Sequence, residues 1–299
     1  MQIYKNILMK QIPESELILN GDGSVYHLNL LPEELADTVI TVGDPDRVPV
    51  VSKFFDSIEL KKQKREFVSH TGTLNGKRLT VLSTGIGTDN IDIAFNELDA
   101  LVNIDLKTRL IKEKLSSLKI IRLGTSGALH ADIPVDSFVF STYGLGLDGV
   151  LNFYVLENNA HESEVIEAFR KHYPSNGVLA QSYLSSVSSL LENKISDGLI
   201  KGITASCCGF YGPQGRVLRG QLARPDFLER LNSFQFGDLR VTNFEMETGA
   251  MYGLARVLGH EVCSVNAIVA NRITLEHTHR AEQTIDEMIE MVLHRLTQN

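Results

Sequence analysis

Asn243-Phe-Glu-Met-Glu-Thr-Gly-Ala-Met-Tyr-Gly-Leu-Ala-Arg256 is the stretch whose reading decides the fold. Apolar residues at Met246, Ala250, Met251, Leu254, Val257 and Leu258 fall at helical spacing. Gly259 supplies a stop. Leu239–Phe244, just upstream, is β-branched and aromatic enough for a short strand. Glu245 and Glu247 therefore stand at a strand-to-helix junction, where open α/β sheets place ligand groups. Acidic residues there also complement the positive end of a helix dipole, so this stretch alone leaves both readings open.

The rest of the chain bounds the choice. Its 299 residues are 43% hydrophobic and 22% charged, an ordinary globular composition that accommodates one large α/β domain. We read residues 1–299 as one domain, with 1–24 as an N-terminal extension. A net charge of −8 argues against a nucleic-acid or membrane-surface partner. The three cysteines form neither a disulfide framework nor a metal-ligand pattern, which suits a reducing, cytoplasmic setting. The first ten residues lack a signal-peptide core, and no run approaches the roughly 18 apolar residues of a membrane span. Glu276-His-Thr-His279 lacks a third ligand at a sensible spacing, so no metal is expected.

In chain order, Thr38–Val42 reads as a buried strand, followed by Gly43-Asp-Pro-Asp-Arg47. Asp44 as N-cap and Pro45 at the first helical position would start a helix there. The same geometry makes an anion site, with Gly43 opening the backbone and Arg47 adding charge. Asn75-Gly76 signals a hairpin. The strand Arg78–Ser83 then ends in the glycine-rich loop Thr84–Thr88, ahead of a helix over 89–102. Leu118–Leu123 reads as a strand running into a loop, Gly124–Ala128. Arg122 is a charge within that apolar strand and needs a partner, while Thr125 and Ser126 add hydroxyls. Gly144-Leu-Gly-Leu-Asp-Gly149 matches a dinucleotide pattern literally. The strand-like Val150–Val155 that follows removes the required helix, so no dinucleotide site is expected. Helices are expected over 161–172, 184–193 and 281–296, with strands in 199–207 and 262–270. Between them the irregular loop Cys208–Val217 carries Phe210, Gln214 and Arg216. An aromatic face, an amide and a guanidinium suit a flat, carbonyl-rich ring.

Together, Gly43–Arg47, Ser83–Gly87, Arg122–Gly127 and Phe244–Glu247 resemble the nucleoside phosphorylase family of the uridine/hexameric purine type, in order over roughly residues 25–295. The resemblance implies a single α/β domain on a mixed, partly barrel-like central sheet flanked by helices. It implies a homodimer, or a hexamer built as a trimer of dimers, with active sites shared between subunits. By that resemblance phosphate is held by Gly43, Arg47, Arg122 and Thr125, with Arg65 lent by the partner subunit. Glu247 takes the ribose hydroxyls, Met246 packs under the sugar, and His27 from the partner reaches the 5′-hydroxyl. Gln214 and Arg216 stand where the uridine branch reads uracil, and Phe210 stacks on the ring.

The chemistry implied is phosphorolysis of uridine to uracil and ribose 1-phosphate, with inorganic phosphate as co-substrate and neither cofactor nor metal. Arg122, Arg216 and Glu247 are its expected catalytic groups. A dianion needs several charge-assisted donors, and a guanidinium stabilises charge gathering on the leaving base. Asn271 stands where purine-specific members carry an aspartate that protonates the base, and an amide is no general acid. A purine phosphorylase on the same scaffold, a nucleosidase and a non-catalytic nucleoside-binding relative are the alternatives.

Overall fold

The structure is a computed structural model and describes residues 10–175 and 179–298. The expected N-terminal extension over residues 1–24 therefore lies partly outside the described residues. By backbone contacts the chain forms two compact units.

The first unit comprises residues up to 85 and 92–119. It holds β1 (Thr38–Val42), α1 (Arg47–Ser52), β2 (Ser57–Lys64), β3 (Phe67–Leu74) and β4 (Lys77–Ser83). Most of α2 (Thr88–Asn103) and the small hairpin of β5 (Ile104–Asp105) and β6 (Leu110–Ile111) complete it. β1 pairs in parallel with β4, and β4, β3 and β2 form an antiparallel meander. The β3–β4 turn is Asn75-Gly76, both at positive φ (51° and 74°), as the sequence predicts for a primed hairpin turn. After β1 the outcome differs from expectation. Asp44 accepts the Asp46 N–H at 3.0 Å, closing a local turn, and α1 begins only at Arg47. Asp44 is thus a turn former and not the helix cap, since its short side chain bonds two residues ahead before a helix can start.

The second unit comprises residues 86–91 and 120–299. Its strands are β7 (Lys119–Ala128), β8 (Phe138–Gly146), β9 (Tyr183–Ser186), β10 (Ile200–Ser206), β11 (Gln235–Phe236), β12 (Leu239–Glu245), β13 (Glu261–Asn271) and β14 (Glu276–His277). The helices are α3 (Ala160–His172), α4 (Ser189–Ile195), α5 (Phe227–Ser233), α6 (Thr248–Leu258) and α7 (Ala281–Thr297). The order β12-β10-β8-β13-β7 closes on itself through a β7–β12 pairing. β10 runs parallel to β8 and β12, whereas β13 and β7 run antiparallel to β8 and β12 respectively. The result is the mixed, barrel-like sheet expected, with helices packed on it.

Three sequence expectations fail in this unit for physical reasons. Gly124–Ala128 is not a loop but the second half of β7. Glycine is needed inside this strand because the Arg122 side chain folds over it: a Cβ on Gly124 would lie 1.6 Å from Arg122 Nη1. Val150–Phe153 is a 3₁₀ turn and not a strand, entered through Gly149 at φ 93°. The single helix expected over 184–193 divides into β9, which pairs with β8, and α4, capped by Ser188. Gly144 and Gly146 of the literal dinucleotide pattern serve packing against α6. α6 lies so close to β8 that a Cβ on Gly249 would fall 2.9 Å from the Gly146 backbone.

Gly249→Ala must therefore push α6 off β8, at a cost of about 1–3 kcal/mol. Gly220 has open space and ordinary φ, so Gly220→Ala stays within about 0.5 kcal/mol of the parent. Urea midpoints at unchanged m-value measure both.

Candidate active site

The junction after β12 divides its two carboxylates between two tasks. Glu245, the last residue of β12, is 4% exposed. It accepts the N–H of Glu247 at 3.0 Å, the N–H of Thr248 at 3.0 Å and the Ser206 hydroxyl at 2.6 Å. Glu245 thus satisfies the N-terminal amides of α6 that would otherwise lack partners. Glu247 occupies the cap position itself yet makes no capping bond. One of its oxygens, Oε1, accepts the Gly87 N–H at 2.8 Å, and Oε2 accepts from Arg122. The helix-dipole reading of the sequence therefore applies to Glu245, and the ligand reading is left to Glu247.

Arg122 finds the partners its burial demands. Its Nη1 donates to Asn266 Oδ1 on β13 at 2.8 Å. Its Nη2 bonds Glu247 and lies 3.1 Å from Glu245 Oε2. Burial opposes the charge on the guanidinium, but Glu245 and then Glu247 outweigh it and hold its pKa above the ordinary value. Burial pushes the Glu245 carboxyl up to about 7; Arg122 pulls it down, and Glu247 adds to the rise. One cation thus serves two buried carboxylates. Thr125 on the same strand and Met246 between the two glutamates are half-buried.

A second group gathers on the loop after β10. The Arg216 guanidinium lies 3.8 Å from the centroid of the Phe210 ring. Its Nη1 donates to the Phe210 carbonyl at 2.6 Å and to Gln214 Oε1. Phe210, Gln214 and Arg216 are therefore assembled with one another, as the sequence pattern requires. Gly215 allows it, at φ 66° and with Leu228 2.9 Å from where a Cβ would sit. Arg272 joins them: it donates to the Gln214 carbonyl at 3.1 Å and lies 5.6 Å from the Phe244 ring, which Arg216 also faces at 5.8 Å. Burial, and next the nearby charge of Arg272, lower the pKa of Arg216. Sequence reading passed over Arg272. Its signal was a cation just past the end of a buried strand.

Asn271, its neighbour, has a structural duty. Its amide donates to the His130 carbonyl at 2.8 Å and the Ile133 carbonyl at 2.9 Å. Its carbonyl accepts the N–H of Ile273 at 2.9 Å and of Thr274 at 3.0 Å. A side chain so engaged, and without an acidic proton, is no general acid.

In the first unit, Gly43 follows β1, and a Cβ there would sit 3.5 Å from the Gly85 carbonyl oxygen. Arg47 opens α1. Arg65 turns the β2–β3 hairpin at φ 55° and lies 5.8 Å from the Tyr26 ring. His27 stacks edge-on to Tyr26 at 4.9 Å, which places His27 and Arg65 around one aromatic ring. Glu97 on α2 holds this segment. It accepts His27 Nδ1–H at 2.6 Å, the His27 N–H at 2.9 Å and the Leu28 N–H at 2.8 Å. With Nδ1 donating, a neutral His27 keeps Nε2 as an acceptor. Glu97 lies 70 residues from His27, so no local pattern announces it.

Known proteins share this architecture. The chain is 32% identical over 279 residues to uridine phosphorylase from Thermococcus kodakarensis, covering 92% of this chain and 88% of that protein. It is 27% identical to a DeoD-type purine nucleoside phosphorylase from Oceanobacillus iheyensis, covering 89% and 97%. A solved Trypanosoma brucei nucleoside phosphorylase, described as showing uridine phosphorylase activity, superposes with a TM-score of 0.86 at 29% identity over 94% of this chain and 99% of that one. The family model described as the phosphorylase superfamily matches residues 37–298. With a match of that extent, and with one guanidinium and two carboxylates closing the strand ends beneath it, the chain belongs to the phosphorylase superfamily.

Proposed function

We propose that the chain cleaves uridine with inorganic phosphate, giving uracil and ribose 1-phosphate. The observation that carries the choice of base is the assembled group of Phe210, Gln214 and Arg216, backed by Arg272. An amide and a guanidinium side by side match a carbonyl, an N–H and a second carbonyl on one ring edge, and Phe210 supplies a stacking face. The engaged amide of Asn271 counts against purine protonation. Uridine phosphorylases among the relatives support the same reading.

In this reading Arg122 and Thr125 bind phosphate, and Gly43, Arg47 and the partner's Arg65 keep the phosphate role that the family resemblance gives them. Glu247 accepts the ribose hydroxyls. Each carboxylate oxygen has more than one lone pair, so the bonds from Gly87 and Arg122 leave acceptor capacity. Met246 packs under the sugar, and His27 Nε2 takes the 5′-hydroxyl. The C1′–N bond breaks as a phosphate oxygen attacks C1′; the bonding pair leaves with uracil, where Arg216 stabilises it. Positive charge on the sugar is met by the bound phosphate and by Glu247. Inorganic phosphate is the co-substrate, with no organic cofactor or metal. We place the enzyme in the cytoplasm as a homo-oligomer without nucleic-acid or membrane partners. Among the described residues no helix is long and apolar enough to cross a membrane.

Arg122→Ala lowers kcat/KM for phosphorolysis by roughly 100- to 1,000-fold or more, measured as uracil release from protein that circular dichroism shows to be folded. The same variant leaves two buried carboxylates without their cation and loses about 3–5 kcal/mol near neutral pH. Glu245, whose carboxyl burial pushes up, then loses the cation that pulls it down, so the penalty is full above its raised folded pKa and fades as pH falls from there toward the unfolded carboxylate pKa. Thermal melts across that range read the trend.

Gln214→Ala combined with Arg216→Ala costs uridine far more than inosine. Assays of uridine, thymidine and inosine, each with and without phosphate, measure this, and equal losses on uridine and inosine overturn the base assignment. Cleavage that persists without phosphate marks a nucleosidase instead.

A further inference from the structure

The pairing of Arg122 bears on how phosphate enters. Two carboxylates share this single guanidinium in a buried cluster, so the cluster carries a negative surplus before any substrate arrives. Among the described residues, the groups that bear most on Glu245 supply no second cation. Arg122 reaches it from β7, Glu247 from the junction, Tyr183 from β9, Tyr252 from α6 and Cys207 from the end of β10. The Tyr183 hydroxyl is committed to Asp148 at 2.7 Å and the Tyr252 hydroxyl to the Ser141 carbonyl at 2.7 Å. Burial holds both phenols and the Cys207 thiol well above their usual pKa values, so all three are neutral.

A dianion that draws on Arg122 must therefore share it with two carboxylates already there. Resting on the reading above, we propose that Glu245 takes up one proton from solvent as phosphate binds to Arg122. The phosphate stays a dianion, Glu245 becomes a neutral carboxylic acid, and no other bond changes. Glu245 is a positioning residue here: it governs the charge on Arg122 without touching the reacting atoms.

The hydrogen bonds identify which carboxylate and which oxygen. Ser206 Oγ accepts the Gly249 N–H at 2.6 Å, so its own hydrogen is committed to Glu245 Oε1. Oε2 faces Arg122 and gains the proton as the guanidinium turns to phosphate. Oε1 goes on accepting from Ser206 and Thr248, and a remaining lone pair of Oε2 goes on accepting the Glu247 N–H, so α6 keeps its cap. Glu247, by contrast, is the carboxylate that the reading above gives to the sugar hydroxyls. In the phosphate-free protein the Glu245 carboxyl already titrates at about 7, so little added charge is needed to protonate it near neutral pH.

Titration calorimetry of inorganic phosphate into the purified enzyme, in two buffers of different ionisation enthalpy, counts the protons. At about pH 8, where phosphate is nearly all dianion, about one proton is taken up per phosphate; at about pH 6, where Glu245 is already protonated and free phosphate is mostly the monoanion, binding of the dianion instead releases up to about one proton. In Glu245→Gln the buffer dependence at about pH 8 disappears while phosphate still binds. The wild-type KM for phosphate rises about tenfold per pH unit above that range, and the variant's does not. Phosphate binding to the wild type at about pH 8 with heats that do not depend on buffer overturns this proposal alone. No phosphate binding in any buffer overturns the phosphorylase reading with it. Because the wild-type proton count decides, a variant that misfolds does not rescue the idea.

Discussion

The second unit turns on one buried ion cluster, the Arg122 guanidinium between Glu245 and Glu247. A charge this deep is tolerated only when its partners are fixed before it arrives. Here they are fixed by the fold: Glu245 by the amides at the start of α6 and the hydroxyl of Ser206, Glu247 by the N–H of Gly87, and Arg122 by Asn266. The cluster therefore ties β7, β10, β12, β13 and the first turn of α6 to one point. Removing any partner leaves a buried group unsatisfied, so the elements must keep their registry for the site to exist at all.

Glycine makes that registry attainable. At Gly124 the backbone gives room for the arginine side chain to fold back, and at Gly249 and Gly146 a helix comes down on a strand with no side chain between them. Two of the three glycines of the literal dinucleotide pattern, Gly144 and Gly146, lie inside β8 and serve this packing. A pattern defined by glycine spacing records where the backbone must be bare. It does not say whether a phosphate or another backbone approaches.

That distinction separates what was legible in the sequence from what was not. Strand β12, helix α6 with its Gly259 stop and the Asn75-Gly76 turn were legible because each is set by neighbours in sequence. The need of Arg122 for a partner was legible too, because an ion in an apolar strand is costly wherever it lands. The identity of the partners was not, since Glu247 lies 125 residues away. For the same reason the division of work between Glu245 and Glu247 could not be read from their shared motif. The extension of β7 through Gly124–Ala128 ran against glycine's low strand propensity; pairing with β12 and the space taken by Arg122 overrode it. Where β9 and α4 replace one expected helix, a four-residue strand pairing with β8 prevailed over local periodicity.

The group of Phe210, Gln214 and Arg216, proposed above to read the base, shows how such preassembly bears on specificity. Gln214 Oε1, Arg216 and the Phe210 carbonyl already satisfy one another, with Gln214 buried. A ring that binds there has to replace those bonds with its own carbonyls and N–H. One that lacks them strands a buried amide beside a guanidinium whose pKa burial has already lowered. Losses of that kind exceed what a hydrophobic pocket achieves by shape, because an unmet polar group costs more than a missing methylene gains. In the proposed reading, discrimination between bases therefore resides less in the stacking face of Phe210 than in the few polar atoms that pair with one another until a matching ring edge takes their place.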